Sequence, residues 1–176
     1  EIEFKVEGHS AVVKSGKSKF SLSTLPASDY PNLEEWDSSD QIELTRHTLR
    51  ALIESTHFSM ANQDVRYYLN GMSFELEPNV IRTVSTDGHR LALAQQSVTN
   101  GVSEQRQVIV PRKAVLEILR LLEDDDATIA LHLGTNHLRI TEQHFVFTTK
   151  LVDGRFPDYR RVLPQGGDKT IVADKF

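Results

Sequence analysis

The sequence predicts an α+β fold in which antiparallel strands dominate and two helices interrupt them. Alternating apolar residues, as in Ile2-Phe4-Val6, predict strands over most of the chain. The apolar residues change to helical spacing in segments 45–57 and 111–122. The order is therefore strand–helix–three strands over 40–98, and the same order again over 106–152.

Turn residues separate the predicted strands. Pro78-Asn79 ends one strand, and Asp87-Gly88 joins the next two. Aspartate and glycine tolerate the positive φ that tight hairpins require, so this pair predicts a hairpin. Pro111 suits the first turn of the second helix, where its missing N–H costs nothing.

A long internal repeat indicates that the chain contains parts of several similar domains. Phe20–Leu33 and Val146–Arg160 both carry a β-prone run, a leucine, a short turn and an aromatic–proline pair. A repeat on this scale is a domain rather than a solenoid unit. In a segment of a longer protein, we therefore expect the end of one domain with its linker at 1–38, a complete domain at 39–164 and the start of a third at 165–176.

The composition excludes several kinds of site. The chain has no cysteine, which excludes disulfides, thiolate zinc sites and a cysteine nucleophile. No apolar run approaches the roughly 18 residues of a membrane span. The formal net charge is −5, whereas a simple polyanion binder is usually basic. The helices nevertheless carry a local positive excess, which is either a solvated surface or a face for an anionic partner; its cations are Arg46, Arg50, Arg112, Lys113 and Arg120.

An acid, a base and a cation lie together in the string TDGHR at 86–90. A hydrolase could use Asp87 and His89, but it would need a nucleophile or a metal placed by the fold. A turn whose aspartate and glycine serve backbone geometry is the favoured interpretation. Three other histidines lack an acidic ligand pattern and are interpreted as surface residues rather than a metal site: His132, His137 and His144.

Two further motifs suggest binding surfaces. The string QDVRYYLNG at 63–71 places two tyrosines beside an amide and a guanidinium, which can stack on bases and contact phosphates. The alternative interpretation of this string is a β-strand in which one of the two tyrosines is buried. Residues 153–162 combine aromatics, proline and arginine, which are enriched at protein interfaces. The alternative there is a structural strap between domains, and both interpretations can hold together.

The strings YYLNGM, TDGHRLA, VPRK and KLVDGRFPDYRRV together closely resemble the bacterial DNA polymerase III β subunit family, the sliding clamps. The resemblance covers essentially the whole chain. It implies a DNA clamp fold, in which helices line a channel for duplex DNA and antiparallel sheets lie outside. It also implies a ring of two subunits with three domains each, which tethers the polymerase without catalysis and without a cofactor or metal.

The resemblance implies two sets of site residues. Gln63, Tyr67 and Tyr68 match residues near DNA, and the five helix cations named above are further candidates for the channel. A cleft between the second and third domains of the family binds linear peptides of the polymerase catalytic subunit, the clamp loader and repair proteins. The matching cleft residues are Arg66, Leu69, Thr86, Gly88, His89, Arg90, Leu91, Pro157, Arg161 and Val162.

The resemblance also implies a cytoplasmic, nucleoid-associated protein with no membrane contact. Ring closure would use the edge strand Lys19–Thr24, but most of the first and third domains are missing. We therefore expect no closed ring and only weak peptide binding by this chain alone. Two alternatives stay open: a protein-interaction module with no role on DNA, and the hydrolase that uses Asp87 and His89.

Overall fold

The computed structural model describes residues 1–30, 40–99, 102–164 and 166–174. The chain divides into two compact units, Glu1–Trp36 and Asp37–Phe176. The linker expected at the end of segment 1–38 includes a short 3-10 turn at Ala27–Asp29, and its part beyond residue 30 lies outside the described residues.

The first unit is a three-stranded antiparallel sheet with one apolar face. Its register places Phe4 opposite Val13 and Val13 opposite Phe20, so that these side chains share a face. Phe4 and Phe20 are exposed, whereas Val13 between them is half-buried. The strands are β1 (Ile2–Glu7), β2 (Ser10–Ser15) and β3 (Ser18–Ser23).

The second unit confirms the predicted order of strand–helix–three strands in both halves. The first helix is shorter than the predicted segment 45–57, because a 3-10 turn at His57–Ser59 follows it. The elements are β4 (Asp40–Thr45), α1 (Arg46–Glu54), β5 (Gly71–Glu77), β6 (Val80–Thr86), β7 (Leu91–Ser97), β8 (Arg106–Pro111), α2 (Arg112–Leu121), β9 (Thr128–Leu133), β10 (His137–Thr141) and β11 (Val146–Lys150).

The two halves exchange their first strands. One sheet has the order β7-β6-β5-β8 and the other the order β11-β10-β9-β4. Strand β8 of the second half therefore pairs with β5 of the first, and β4 of the first half pairs with β9 of the second. This exchange joins the halves into one unit through backbone hydrogen bonds.

Both helices bury their apolar faces against both sheets. Leu49, Leu52 and Ile53 of α1 are fully buried, together with Val115 and Ile118 of α2. Thr45 caps the N-terminus of α1, since its Oγ1 accepts a hydrogen bond from the Thr48 N–H at 3.1 Å. Pro111 differs from the prediction, because it ends β8 and precedes α2 as its N-cap. In the described part of the chain, neither helix has the length and apolar character to span a bilayer.

Part of the other face of the β7-β6-β5-β8 sheet is covered by residues 153–162, which we call the strap. Phe156 and Tyr159 of the strap pack on Val84 of β6 and Ile109 of β8 in a second, smaller core. The sheet is therefore covered by helices on one face and in part by the strap on the other, where Leu93 of β7 remains exposed. Residues 166–174 have no regular secondary structure, so the expected third domain at 165–176 stays a prediction.

Candidate functional site

Residues 63–70 form a loop with a 3-10 turn at Tyr67–Leu69, so the strand considered for this motif is wrong. The Asp64 carboxylate accepts hydrogen bonds from the Arg66 backbone N–H at 2.8 Å and from its guanidinium at 2.7 and 3.0 Å. The Asn70 side chain bridges the N–H and C=O of Asp64. These local bonds satisfy backbone groups that a strand would have paired elsewhere. They also lower the pKa of Asp64 to about 2, chiefly through the Arg66 guanidinium.

The hairpin tip at 86–90 is organised by the Asp87 carboxylate. It accepts hydrogen bonds from the backbone N–H groups of His89 at 2.9 Å and Arg90 at 3.0 Å. The Arg90 guanidinium donates a further bond at 3.1 Å. These donors, with the backbone N–H groups foremost, lower the pKa of Asp87 to about 2. The carboxylate therefore holds the turn, as the favoured interpretation of this motif required.

The loop, the hairpin tip and the strap enclose a cavity of about 460 Å³, which we call the cleft. Arg66 connects the loop with the hairpin tip, because its guanidinium donates a hydrogen bond to the Asp87 carbonyl at 3.2 Å. Val162 of the strap is exposed beside it and offers an apolar contact. Nine of the ten predicted cleft residues line this cavity: Arg66, Leu69, Thr86, Gly88, His89, Arg90, Leu91, Pro157 and Val162.

The tenth predicted residue, Arg161, lies elsewhere. It lines a second cavity of about 520 Å³, which also includes strap residues and which we call the outer cavity. Its guanidinium pairs with Asp158 at 2.9 Å. Conversely, Tyr68, Asp158 and Tyr159 line the cleft although the sequence did not assign them to it. The strap motif contains two of these three residues, but only its folding onto the sheet shows which side chains turn inward.

Replacing Gly88 with alanine is expected to lower the free energy of unfolding by about 1–3 kcal/mol. Gly88 has φ +89°, and an added Cβ would lie 2.9 Å from the Arg66 guanidinium. Urea denaturation of the chain measures this loss. Gly167→Ala is the matched control, since nothing lies within 4 Å of its added Cβ. Equal stability of the two variants would contradict the left-handed conformation of this turn.

The lowered pKa values of Asp64 and Asp87 predict an acid-sensitive fold. A carboxylate whose pKa is lowered on folding stabilises the protein above its unfolded pKa, about 3.9. That contribution is lost as the pH falls toward the folded values of about 2. We expect the free energy of unfolding to decline between about pH 4 and pH 2, and to decline less in Asp87→Asn. Urea denaturation at several pH values across this range measures the decline. In the control Glu104→Gln, which replaces an exposed carboxylate, the free energy of unfolding should decline as it does in the parent chain.

Arg46, a predicted DNA contact, lies in an internal ion-pair network. Only 8% of it is exposed, and its guanidinium pairs with Glu142 at 2.6 Å, Asp125 at 3.0 Å and Glu123 at 3.3 Å. The network ties the start of α1 to the segment after α2 and to the end of β10. Burial among these carboxylates removes Arg46 from the surface that an anionic partner could reach.

Arg50 is committed to the end of the neighbouring helix. Its guanidinium donates to the carbonyls of Leu122 at 2.8 Å and Leu119 at 3.4 Å, and it pairs with Glu54 at 2.8 Å. The last carbonyls of a helix lack partners within it and carry partial negative charge, which a cation stabilises. Arg50 therefore fixes α1 against α2, and its charge is already engaged inside the unit.

The second helix keeps its cations accessible. Lys113 is exposed, and the Arg120 side chain is 76% exposed, paired only with Glu117 of its own helix at 3.3 Å among the contacts of the described residues. Exposed pairs of this kind contribute little and open readily. Arg112 is half-buried and donates to the Met60 carbonyl at 3.4 Å. The accessible positive charge therefore belongs mainly to Lys113 and Arg120.

The loop presents the polar and aromatic side chains that the motif suggested. Gln63 is exposed and has φ +57°, an unusual value for a residue with a side chain. Tyr67 is 57% exposed and meets Tyr68 edge-to-face at 5.7 Å between ring centroids. Tyr68 is half-buried at the cleft. The loop thus places one tyrosine toward solvent and the other against the cleft.

Of the three histidines interpreted as surface residues, His144 is exposed, whereas His132 and His137 are half-buried. His132 has a lowered pKa, because partial burial and then the neighbouring Arg139 disfavour its charged form. Within the described residues, no group of three or more His, Cys, Asp or Glu side chains is arranged to hold a metal ion.

Comparisons with known proteins give one consistent relationship. A family model described as the DNA polymerase III beta subunit, central domain, matches residues 43–158, and the N-terminal domain of the same subunit matches residues 1–34. The beta sliding clamp of Vibrio cholerae is 57% identical over 94% of the chain, and that of Escherichia coli K12 is 52% identical over 98%.

The solved structures agree with the sequence relatives. The DNA polymerase III beta subunit of Pseudomonas aeruginosa, at 50% identity, matches 95% of the chain with a TM-score of 0.88. The sliding clamp of Bacillus subtilis, at 26% identity, matches 94% with a TM-score of 0.86. The chain spans about half the length of these proteins, 45% of the V. cholerae relative and 46% of the P. aeruginosa chain.

Proposed function

We propose, from the premise that this chain belongs to the DNA polymerase III beta subunit family, that it serves as part of a sliding clamp. The proposed protein encircles duplex DNA, tethers the replicative polymerase and catalyses no reaction. It acts in the bacterial cytoplasm on nucleoid DNA, as a ring of two subunits. Relatives named beta sliding clamp, at more than half sequence identity, are the observation that carries this proposal.

We propose that the cleft receives short linear peptides from the polymerase, the clamp loader and repair proteins. An extended peptide can place apolar side chains against Leu69, Leu91 and Val162, while Arg66 and Arg90 stand at the margin. The cavity of about 460 Å³ suits one or two such side chains. Arg161 lines the outer cavity, so its contribution would come through Asp158, which lines both cavities.

We propose that Lys113 and Arg120 of α2, with Gln63, Tyr67 and Tyr68 of the loop, contact DNA. Weak contacts with phosphates carry no sequence information, which is what sliding requires. Arg112 is a secondary candidate, since it is half-buried. Arg46 and Arg50 are left out of this surface, because carboxylates and helix carbonyls already hold their guanidinium groups.

The cleft is tested by titrating a fluorescent linear peptide from a polymerase partner into the full-length protein that carries this chain. We expect micromolar binding, weakened about tenfold by His89→Ala because His89 lines the cleft. Arg161→Ala is expected to weaken binding less, because its side chain lines the outer cavity.

Matched controls lie outside both cavities. His144→Ala and Arg120→Ala remove an exposed histidine and an exposed arginine, and each should leave the peptide affinity unchanged. Binding that is absent, or equal in the parent, His89→Ala and His144→Ala, would reject the cleft as the peptide site.

A further inference from the structure

Glu75 is a buried carboxylate on the face of β5 that turns away from the helices. Its neighbours Phe74 and Leu76 point into the main core, so alternation places Glu75 on the opposite face, under the strap. Its side chain is only 2% exposed. An isolated charge at such a depth would be strongly unfavourable, so the groups that pair with this carboxylate indicate its role.

Four donors from three directions converge on this carboxylate. Gln107 of β8 donates to Oε1 at 3.0 Å, and Arg82 of β6 donates to Oε2 at 2.8 Å. From the strap, the Tyr159 hydroxyl donates to Oε2 at 3.0 Å and the Arg160 guanidinium at 3.3 Å. Glu75 thus connects both neighbouring strands with the strap that covers them.

The position of the strap determines the shape of the cleft. Pro157, Asp158 and Tyr159 of the strap line both the cleft and the outer cavity. A small movement of the strap would therefore change the shape of both cavities. Phe156 and Tyr159 anchor it by apolar packing, which is not directional. The hydrogen bonds at Glu75 are directional and select one position.

We propose that Glu75 is a positioning residue for the peptide cleft, which holds the strap in the position that admits a peptide. This inference rests on the proposed function of the cleft. Its basis is the pair of hydrogen bonds from Tyr159 and Arg160, which join the buried carboxylate to the cleft wall. Glu75 itself lines the outer cavity and is absent from the cleft lining, so its effect on peptides is transmitted through Tyr159.

The test measures peptide affinity in the full-length protein with the fluorescent peptide used above. Tyr159→Phe keeps the ring and removes one hydrogen bond, and Glu75→Gln removes the charge; each is expected to weaken binding about tenfold. The double variant should bind no more weakly than Glu75→Gln alone, because both changes weaken the same contact between Glu75 and Tyr159. A residue that only stabilises the fold would lower the free energy of unfolding in urea without weakening peptide binding by the folded protein.

Glu77→Gln is the matched control. Glu77 lies on the same strand and contacts the same two arginines, Arg82 at 3.0 Å and Arg160 at 3.8 Å, but it is more exposed. Its variant should bind within twofold of the parent. If Glu75→Gln does not fold, the comparison of the peptide affinities of Tyr159→Phe and Glu77→Gln tests the inference instead.

Three outcomes separate the inference from the function on which it rests. If the parent protein binds the peptide and the affinities of Tyr159→Phe and Glu75→Gln lie within twofold of the parent affinity, the inference is overturned but the proposed cleft is not. Losses that multiply in the double variant also overturn it, because they assign the two residues separate roles. A parent that does not bind the peptide rejects the proposed cleft, and the inference fails with it.

Discussion

Phe156→Ala is expected to lower the free energy of unfolding by about 3–5 kcal/mol and to abolish peptide binding. Phe156 is 4% exposed and packs with Val84, Ile109 and Tyr159 between the strap and the sheet. Removing the ring loses its burial from water and leaves a cavity that the surrounding sheet cannot fill. The strap would lose its main apolar anchor, and with it the cleft wall that Pro157 and Val162 form.

Urea denaturation gives the loss of stability, and peptide titration below the unfolding transition gives the loss of affinity. Phe58→Ala is the matched control, because Phe58 is 52% exposed and the Arg90 guanidinium carbon lies 5.9 Å from its ring centroid. We expect Phe58→Ala to lower the free energy of unfolding by no more than about 1 kcal/mol. A Phe156→Ala protein as stable as Phe58→Ala would mean that the strap does not pack on the sheet as described.

Reversing the charge of Lys113 and Arg120 together is expected to weaken the affinity of the full-length protein for a short duplex by tenfold or more. Each phosphate contact contributes about 0.9 to the slope of log affinity against log salt, so the loss of two lowers its magnitude by about two. These two side chains carry the accessible charge of α2. Fluorescence anisotropy at several salt concentrations measures both quantities.

The matched control is Lys150→Glu with Lys169→Glu, which changes the net charge equally at exposed positions outside both helices. Equal losses in both double variants would indicate a general effect of net charge rather than a DNA-contacting helix. An unchanged affinity and slope in the helix variant would instead favour the alternative of a protein-interaction module with no role on DNA.

The element order was predictable because it depends on local patterns. The apolar spacing of the helices places Leu49, Leu52 and Ile53 in the core, where the structure also has them. The pair Asp87-Gly88 predicts a hairpin, and β6 and β7 meet there. Such signals lie within a few residues of the structure that they determine.

The interactions of individual charged side chains were not predictable, because their partners are distant in sequence. Arg46 and Arg50 are four residues apart and suggested one accessible face, yet Arg46 pairs with Glu142 and Arg50 with carbonyls after residue 118. Strand alternation alone would leave Glu75 facing solvent, but the strap covers it. Most of the cleft could be inferred from the resemblance, whereas Arg161 could not be placed without the path of the strap.

The most direct test of the account measures whether the full-length protein stays on DNA by encircling it. Labelled protein is loaded by a clamp loader on a nicked circular duplex, and its retention in high salt is compared before and after one cut linearises the circle. We predict retention on the circle and release after the cut, because weak contacts that permit sliding cannot hold a ring on an open end. Equal retention on circular and linear DNA, or none on either, would contradict the assignment of this chain to a DNA-encircling clamp.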